Sequence, residues 1–203
     1  MSAVIVRALA EDEWELYRSV RLAALQESPD AFADTYEHER DLPESVWRER
    51  MGRDTTRFLA ELEGEPVGVV SIAPALRAES EIEHPSDPER AESHDRGELA
   101  FEGVEEAEHV AELFGLWVPA GHRGKGVSIE LAKAAARHAQ GLGKTYIAYW
   151  VGSDNGRAVA FASGLGFLPT DSRRPMREQA DDDEDEVAMV LPLHAARGFL
   201  DQD

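Results

Sequence analysis

Arg123-Gly-Lys-Gly-Val-Ser128 is the stretch whose residue types and spacing could do chemistry. Gly121, Gly124 and Gly126 allow a tight turn and leave backbone amides uncovered. From Val127 the apolar spacing turns helical, with Val127, Leu131, Ala134, Ala135, His138, Ala139 and Leu142 on one broad face. A glycine turn that opens a helix attracts anions, because the first N–H groups have no partner inside the helix and its dipole is positive there. Arg123 and Lys125 add two full charges at the same place. The chemistry predicted is capture of a phosphate, and of a pyrophosphate if several successive amides face outward.

Three glycines interleaved with two cations favour the phosphate over a plain strand-to-helix connection. A Walker A loop does not fit: Gly124-Lys125 is followed by Gly126, and Pro119 stands where its first glycine belongs. A dinucleotide fingerprint needs a small residue where Ile129 stands.

The elements that must position this loop can be read around it. Phe114, Leu116, Trp117 and Val118 suit a buried strand, and Pro119 ends it. Gly141-Leu-Gly143 closes the helix, and Thr145-Tyr-Ile-Ala-Tyr-Trp-Val151 reads as the next strand. Strand, crossover helix and strand imply a parallel pair. Ahead of them lie a short strand at Val4–Ala8, a helix from Glu11 to about Glu27, a helix over Pro43–Met51, and a hairpin of Phe58–Glu63 with Pro66–Ala73. Asn155 caps a short helix that ends near Gly164, and Val187–Leu191 closes the chain as a strand. Two charged stretches read as an acidic insertion over about 75–106 and a loop over about 171–186. His84 and His94 in the first read as surface residues, and no metal site is expected. The fold class is mixed α/β (α+β), one domain over 1–203.

Arg123-Gly-Lys-Gly-Val-Ser128 resembles the R/Q-x-x-G-x-G/A signature of the GNAT superfamily of N-acetyltransferases, with Ser128 in the last place. Asn155, Ala158, Phe161, Gly166 and Phe167 resemble that family's second motif, at its usual distance from the first. The resemblance covers about residues 107–170 strongly and 4–73 loosely, and the wording of Ser28-Pro-Asp-Ala-Phe32 is similar to small bacterial members.

What the resemblance implies is a GNAT fold with splayed central strands and acetyl-CoA as co-substrate. The coenzyme would be held by Leu116, Trp117, Val118, Arg123, Gly124, Lys125, Gly126, Val127, Ser128, Asn155 and Ala158. Glu112, eleven positions ahead of Arg123, is the candidate base, with His109 the alternate. A carboxylate on an apolar strand is suited to that work by desolvation, but it can equally point to solvent or pair with an arginine. Where the family often carries an acidic tyrosine this chain has Ala162; Ser163, Tyr146 and Tyr149 are the other hydroxyls nearby. The expected reaction is direct attack of a primary amine on acetyl-CoA. The alternative is a catalytically weak acyl-CoA-binding sensor or interaction module, which Ala162 favours. The acceptor amine is open, and a homodimer is expected as in much of the family.

The 203 residues carry a net charge of −20, which argues against nucleic acid as a partner. There are no cysteines, so disulfides and thiol nucleophiles are excluded. No apolar run approaches the ~20 residues that span a membrane, and the N-terminus lacks a signal-peptide core, so the cytoplasm is expected. The only lysines, Lys125, Lys133 and Lys144, all fall in the loop–helix region and predict a local positive spot.

Overall fold

A computed structural model of the chain describes residues 3–52, 54–75, 109–175, 185–196 and 200. Strand β1 (Ile5–Ala8) leads through a 3-10 turn into helix α1 (Trp14–Glu27). Helices α2 (Tyr36–Arg40) and α3 (Glu44–Gly52) follow, then strands β2 (Thr56–Leu62), β3 (Glu65–Pro74) and β4 (Val110–Trp117). Helix α4 (Val127–Gly141), strand β5 (Tyr146–Gly152), helix α5 (Gly156–Gly164) and strands β6 (Leu168–Pro175) and β7 (Asp185–Pro192) complete it. The strands form one seven-stranded sheet in the order β1-β2-β3-β4-β5-β7-β6. Every neighbouring pair is antiparallel except β4 with β5, the parallel pair that α4 connects.

Alternation along the strands divides the core. On one face Val127, Leu131, Ala135 and Ala139 of α4 pack against Ala60, Val70, Ile72 and Leu113. On the other, Leu25 and Trp47 from α1 and α3 pack against Leu59, Val69 and Trp117. Each of the valine, leucine and isoleucine side chains among them contributes about 1.5–3 kcal/mol by leaving water. The three N-terminal helices are also tied by charge. Glu39 of α2, only 2% exposed, accepts from Arg21 of α1 at 2.7 Å and Arg50 of α3 at 3.1 Å.

Two expectations change. The segment about 171–186 is not a single loop: residues 171–175 belong to β6 and 185–186 to β7. Leu-Pro-Thr-Asp-Ser-Arg-Arg-Pro has no strand-like composition, but β6 is the sheet edge, where prolines and charges are tolerated. Helix α2 was also unread. Its five residues, with Tyr36 alone apolar, carry no apolar period, and it is started by Thr35, whose hydroxyl accepts from the His38 amide at 3.3 Å. The acidic stretch over 76–106, with His84 and His94, lies outside the described residues.

Candidate active site

The glycine loop folds as its sequence suggests. Pro119 ends β4 and begins a 3-10 turn at Ala120–His122. Gly126 then caps α4 from the left-handed region, at φ 83°, where a side chain would be strained. Its carbonyl accepts the amides of Ile129 and Glu130 at 3.0 and 3.1 Å, so the helix begins with Val127. Among the described residues, no acceptor in the protein meets the amides of Gly124, Lys125, Gly126, Val127 or Ser128. Five successive donors at a helix start form an anion cradle. Val127 itself is buried, so only its backbone faces the cradle.

Arg123 departs from its expected part. Its amide bonds the Ala120 carbonyl at 3.3 Å. Its Nε donates to the Val118 carbonyl at 2.8 Å, and its Nη2 to Glu27 at 3.0 Å and Ser28 Oγ at 3.3 Å. Glu27 also accepts the Ala120 amide at 3.0 Å. Arg123 is therefore a strut that pins the loop to the end of α1, with its side chain still 36% exposed. The lysines do not cluster either. Lys133 is buried against Glu130 at 3.1 Å, and Lys144 lies beyond the far end of α4. Lys125 is the exposed lysine of the loop.

The central strands fork beside this cradle. β4 pairs with β5 only from Val110–Leu113 against Tyr146–Tyr149. Beyond that rung β4 pairs with β3 alone and β5 with β7 alone. A bulge accompanies the fork: Trp117 faces Val69 and Phe114 faces Ser71, so Gly115 and Leu116 together oppose Val70. Gly115 takes φ 63°, which a glycine adopts at little cost. The backbone of Leu116, Trp117 and Val118 thus lies along the fork, while the Trp117 and Val118 side chains are buried.

Glu112 sits just below the fork, half-buried, between Ala73 of β3 and Ala148 of β5. It points to the face carrying Val110 and Phe114, opposite α4. Arg174 of β6 reaches it, Nη2 to Oε1, at 3.5 Å. Arg174 also donates Nε to Glu186 at 2.7 Å, and its guanidinium lies 4.3 Å from the Trp150 ring centroid. An arginine partner for Glu112 is one of the alternatives the sequence allows; that it is Arg174 follows from residues 171–175 being strand rather than loop. His109 is not brought to the fork. It is exposed, precedes β4, and its carbonyl accepts the Thr145 amide at the other end of the strand pair.

Asn155 caps α5 as expected, its Oδ1 accepting the Ala158 amide at 3.1 Å. Ala162 is wholly buried in the core and offers no hydroxyl. Of the hydroxyls named from sequence, Ser163 is exposed on α5 and Tyr146 pairs at the closed end with Val110. Tyr149 stands on the last paired rung, edge-on to Phe167 at 6.1 Å. Burial, with the Glu186 charge adding to it, pushes its hydroxyl up to about 12. Among the described residues no group of three carboxylates or histidines could hold a metal, and no helix is long and apolar enough to cross a membrane.

The acetyltransferase (GNAT) family model matches residues 8–167. The chain belongs to that family. GNAT folds solved elsewhere superpose over nearly the whole chain. A putative acetyltransferase, yncA, from Salmonella typhimurium, solved with acetyl-CoA, has a TM-score of 0.62 at 15% identity, covering 95% of each chain. A ribosomal-protein-alanine N-acetyltransferase from Brucella melitensis gives 0.61 at 18%, covering 93% of this chain and 99% of that one. Mutant forms of the spermidine/spermine N-acetyltransferase SpeG from Vibrio cholerae give 0.62 at 15%, covering 96% of each. No curated protein sequence matches. At such identities the likeness shows the GNAT fold alone, and the two relatives whose names give an acceptor differ in it, so they do not choose one for this chain.

Proposed function

We propose that this GNAT protein transfers acetyl from acetyl-CoA to a primary amine by direct attack, with no covalent enzyme intermediate. The observation that carries the reading is the run of unpartnered amides from Gly124 to Ser128, opening beside the unpaired edge of β4. The cradle takes the diphosphate, aided by Lys125. The coenzyme arm runs along Leu116–Val118, where the forked strands leave backbone groups for it. Asn155 and Ala158 border the arm from α5. A backbone N–H near the end of β4 polarises the thioester carbonyl.

An amine with a pKa near ~10 arrives protonated, and Glu112 takes that proton, directly or through water. The amine nitrogen then bonds the carbonyl carbon, the C–S bond breaks with its electron pair leaving on sulfur, and the second nitrogen proton passes to the departing thiolate or to water. No strong acid is required, because a thiol near ~8.5 leaves as a thiolate. Tyr149, held at about 12, is a poor proton donor to such a group but a good hydrogen-bond donor. Its active form is the protonated one, lost only as pH rises through about 12. Tyr149→Phe is therefore expected to lower kcat roughly three- to tenfold, the worth of one neutral hydrogen bond. Wild type is expected to show no Tyr149-dependent loss between about pH 7 and 10, which a kcat–pH series on both proteins checks.

The direct test is thiol release from acetyl-CoA across a panel of amines. The second reading, a coenzyme-binding sensor or interaction module, has Ala162 and the Arg174 contact to Glu112 in its favour. It prevails if acetyl-CoA raises the melting temperature yet no amine yields thiol. The net charge of −20 speaks against nucleic acid as acceptor. A cytoplasmic location and a homodimer complete the proposal.

A further inference from the structure

We propose that the acceptor amine carries a carboxylate, and that Arg57 of β2 binds that carboxylate on the face of the sheet opposite α4. The proposal deepens the acetyl-transfer reading and rests on it.

Arg57 is 6% exposed, and its Nε and Nη1 are buried with no acceptor in the protein. A donor that has given up water and found no acceptor is a standing cost, and a larger one on a cation. The neighbours deepen the imbalance. Glu39 is the buried carboxylate of this region, and it is bonded to Arg21 and Arg50. Trp47 and Trp117 share one apolar cluster with Tyr17, and the indole Nε1 of each is also buried without an acceptor. An indole nitrogen can only donate. The Tyr17 ring centroid lies 4.6 Å from the Arg57 guanidinium carbon and 6.0 Å from the Trp47 ring centroid. Burial would raise the Tyr17 hydroxyl, but the charges of Arg57 and Arg21, with a hydrogen bond to Arg57, outweigh it and hold the group below its ordinary value. The surroundings of Tyr17 are thus positive and rich in donors, in a protein of net charge −20. A carboxylate supplies what is missing there, negative charge and acceptor oxygens.

The position of Arg57 points to the acceptor rather than the coenzyme. Arg57, Ser71 and Phe114 stand on one rung across β2, β3 and β4. Phe114 is the first residue of β4 beyond its last rung with β5, so this rung is level with the start of the fork. Two strand spacings, about 10 Å, separate β2 from β4, and small Ser71 stands between them. The amide cradle lies at the start of α4, which packs on the opposite face. An acid group at Arg57 therefore belongs to the molecule that approaches the fork from the side of α1. Phe114, 36% exposed, offers that molecule an apolar surface.

The test is thiol release from acetyl-CoA with amines paired so that only the carboxylate differs: phenylalanine with phenethylamine, and lysine with cadaverine. In wild type the carboxylate member is expected to have a kcat/KM roughly 10- to 100-fold higher, the worth of a charge-assisted contact. Arg57→Gln is expected to erase that ratio, with acetyl-CoA affinity by calorimetry held within about twofold. Arg57→Lys keeps the charge but not the planar fork, and retains part of the ratio. If Arg57→Gln does not fold, the wild-type ratio and its decline in Arg57→Lys carry the test. Equal rates within each pair in wild type, or a ratio that survives Arg57→Gln, overturn the proposal. Free acetate that raises the melting temperature through Arg57 while the paired amines stay equal would make this a resident-anion site, and overturns it as well. If acetyl-CoA binds but no amine yields thiol, the transfer reading fails by itself. Calorimetry of N-acetylphenylalanine on the coenzyme A complex then decides: binding that Arg57→Gln abolishes upholds the carboxylate site, and no binding overturns it.

Discussion

Glu112→Gln lowers kcat for acetyl transfer by roughly 10²–10³-fold at pH 7, the span a positioned general base commands. Glutamine keeps the size and one oxygen of glutamate but has no basic lone pair in the useful range. The residue sits below the fork, on the face away from α4, and does not border the amide cradle. Acetyl-CoA affinity should therefore stay within about twofold, with the loss in kcat rather than KM for the coenzyme. The loss should shrink at high pH, where more of the amine arrives neutral and less is asked of a base. Steady-state rates from pH 6 to 10, with calorimetry for the coenzyme, check both parts. A kcat that is unchanged at pH 7 would remove Glu112 from the mechanism.

Gly126→Val raises the dissociation constant for coenzyme A roughly 100-fold, equivalent to losing two charge-assisted hydrogen bonds at ~1.5 kcal/mol each. The position has φ 83°, and a β-branched residue there costs about 1–3 kcal/mol. A Cβ at Gly126 meets nothing within 4 Å, so the cost is not a clash with the core. The chain relieves the strain by turning the cap, which swings the amides of Val127 and Ser128 away from a common target. The valine side chain also stands where the diphosphate would lie. Gly141→Ala, at the other end of α4 and equally unobstructed, is the control and leaves affinity as it was. Titration calorimetry reads both variants. Equal affinities would mean that the amides from Gly124 to Ser128 do not hold the coenzyme.

The parts of the site that were legible in the sequence are those built by neighbours along the chain. The turn, the start of α4 at Val127, the Asn155 cap and the strand at Tyr146–Gly152 each depend on residues a few positions apart. Glycine spacing, apolar period and capping chemistry carry that information directly. The family signature lay in the same local run, which is why fold and family came together.

Arg123 shows where this ends. Its charge beside two glycines suggested a phosphate ligand, yet its guanidinium bonds Glu27, 96 positions away. Arg174 meets Glu112 across 62 positions, and only because the sheet order sets β7 and β6 beyond β5. The bulge at Gly115 depends on register with β3, and Tyr149 gains its place only where pairing between β4 and β5 stops. The sequence alone determined the donor-rich helix start and the apolar strands that carry it, because turns, caps and periodicity are short-range. Tertiary structure alone decided which charges are spent on the scaffold and which face the fork. That choice follows from strand order, and strand order arises from contacts between segments far apart in the chain.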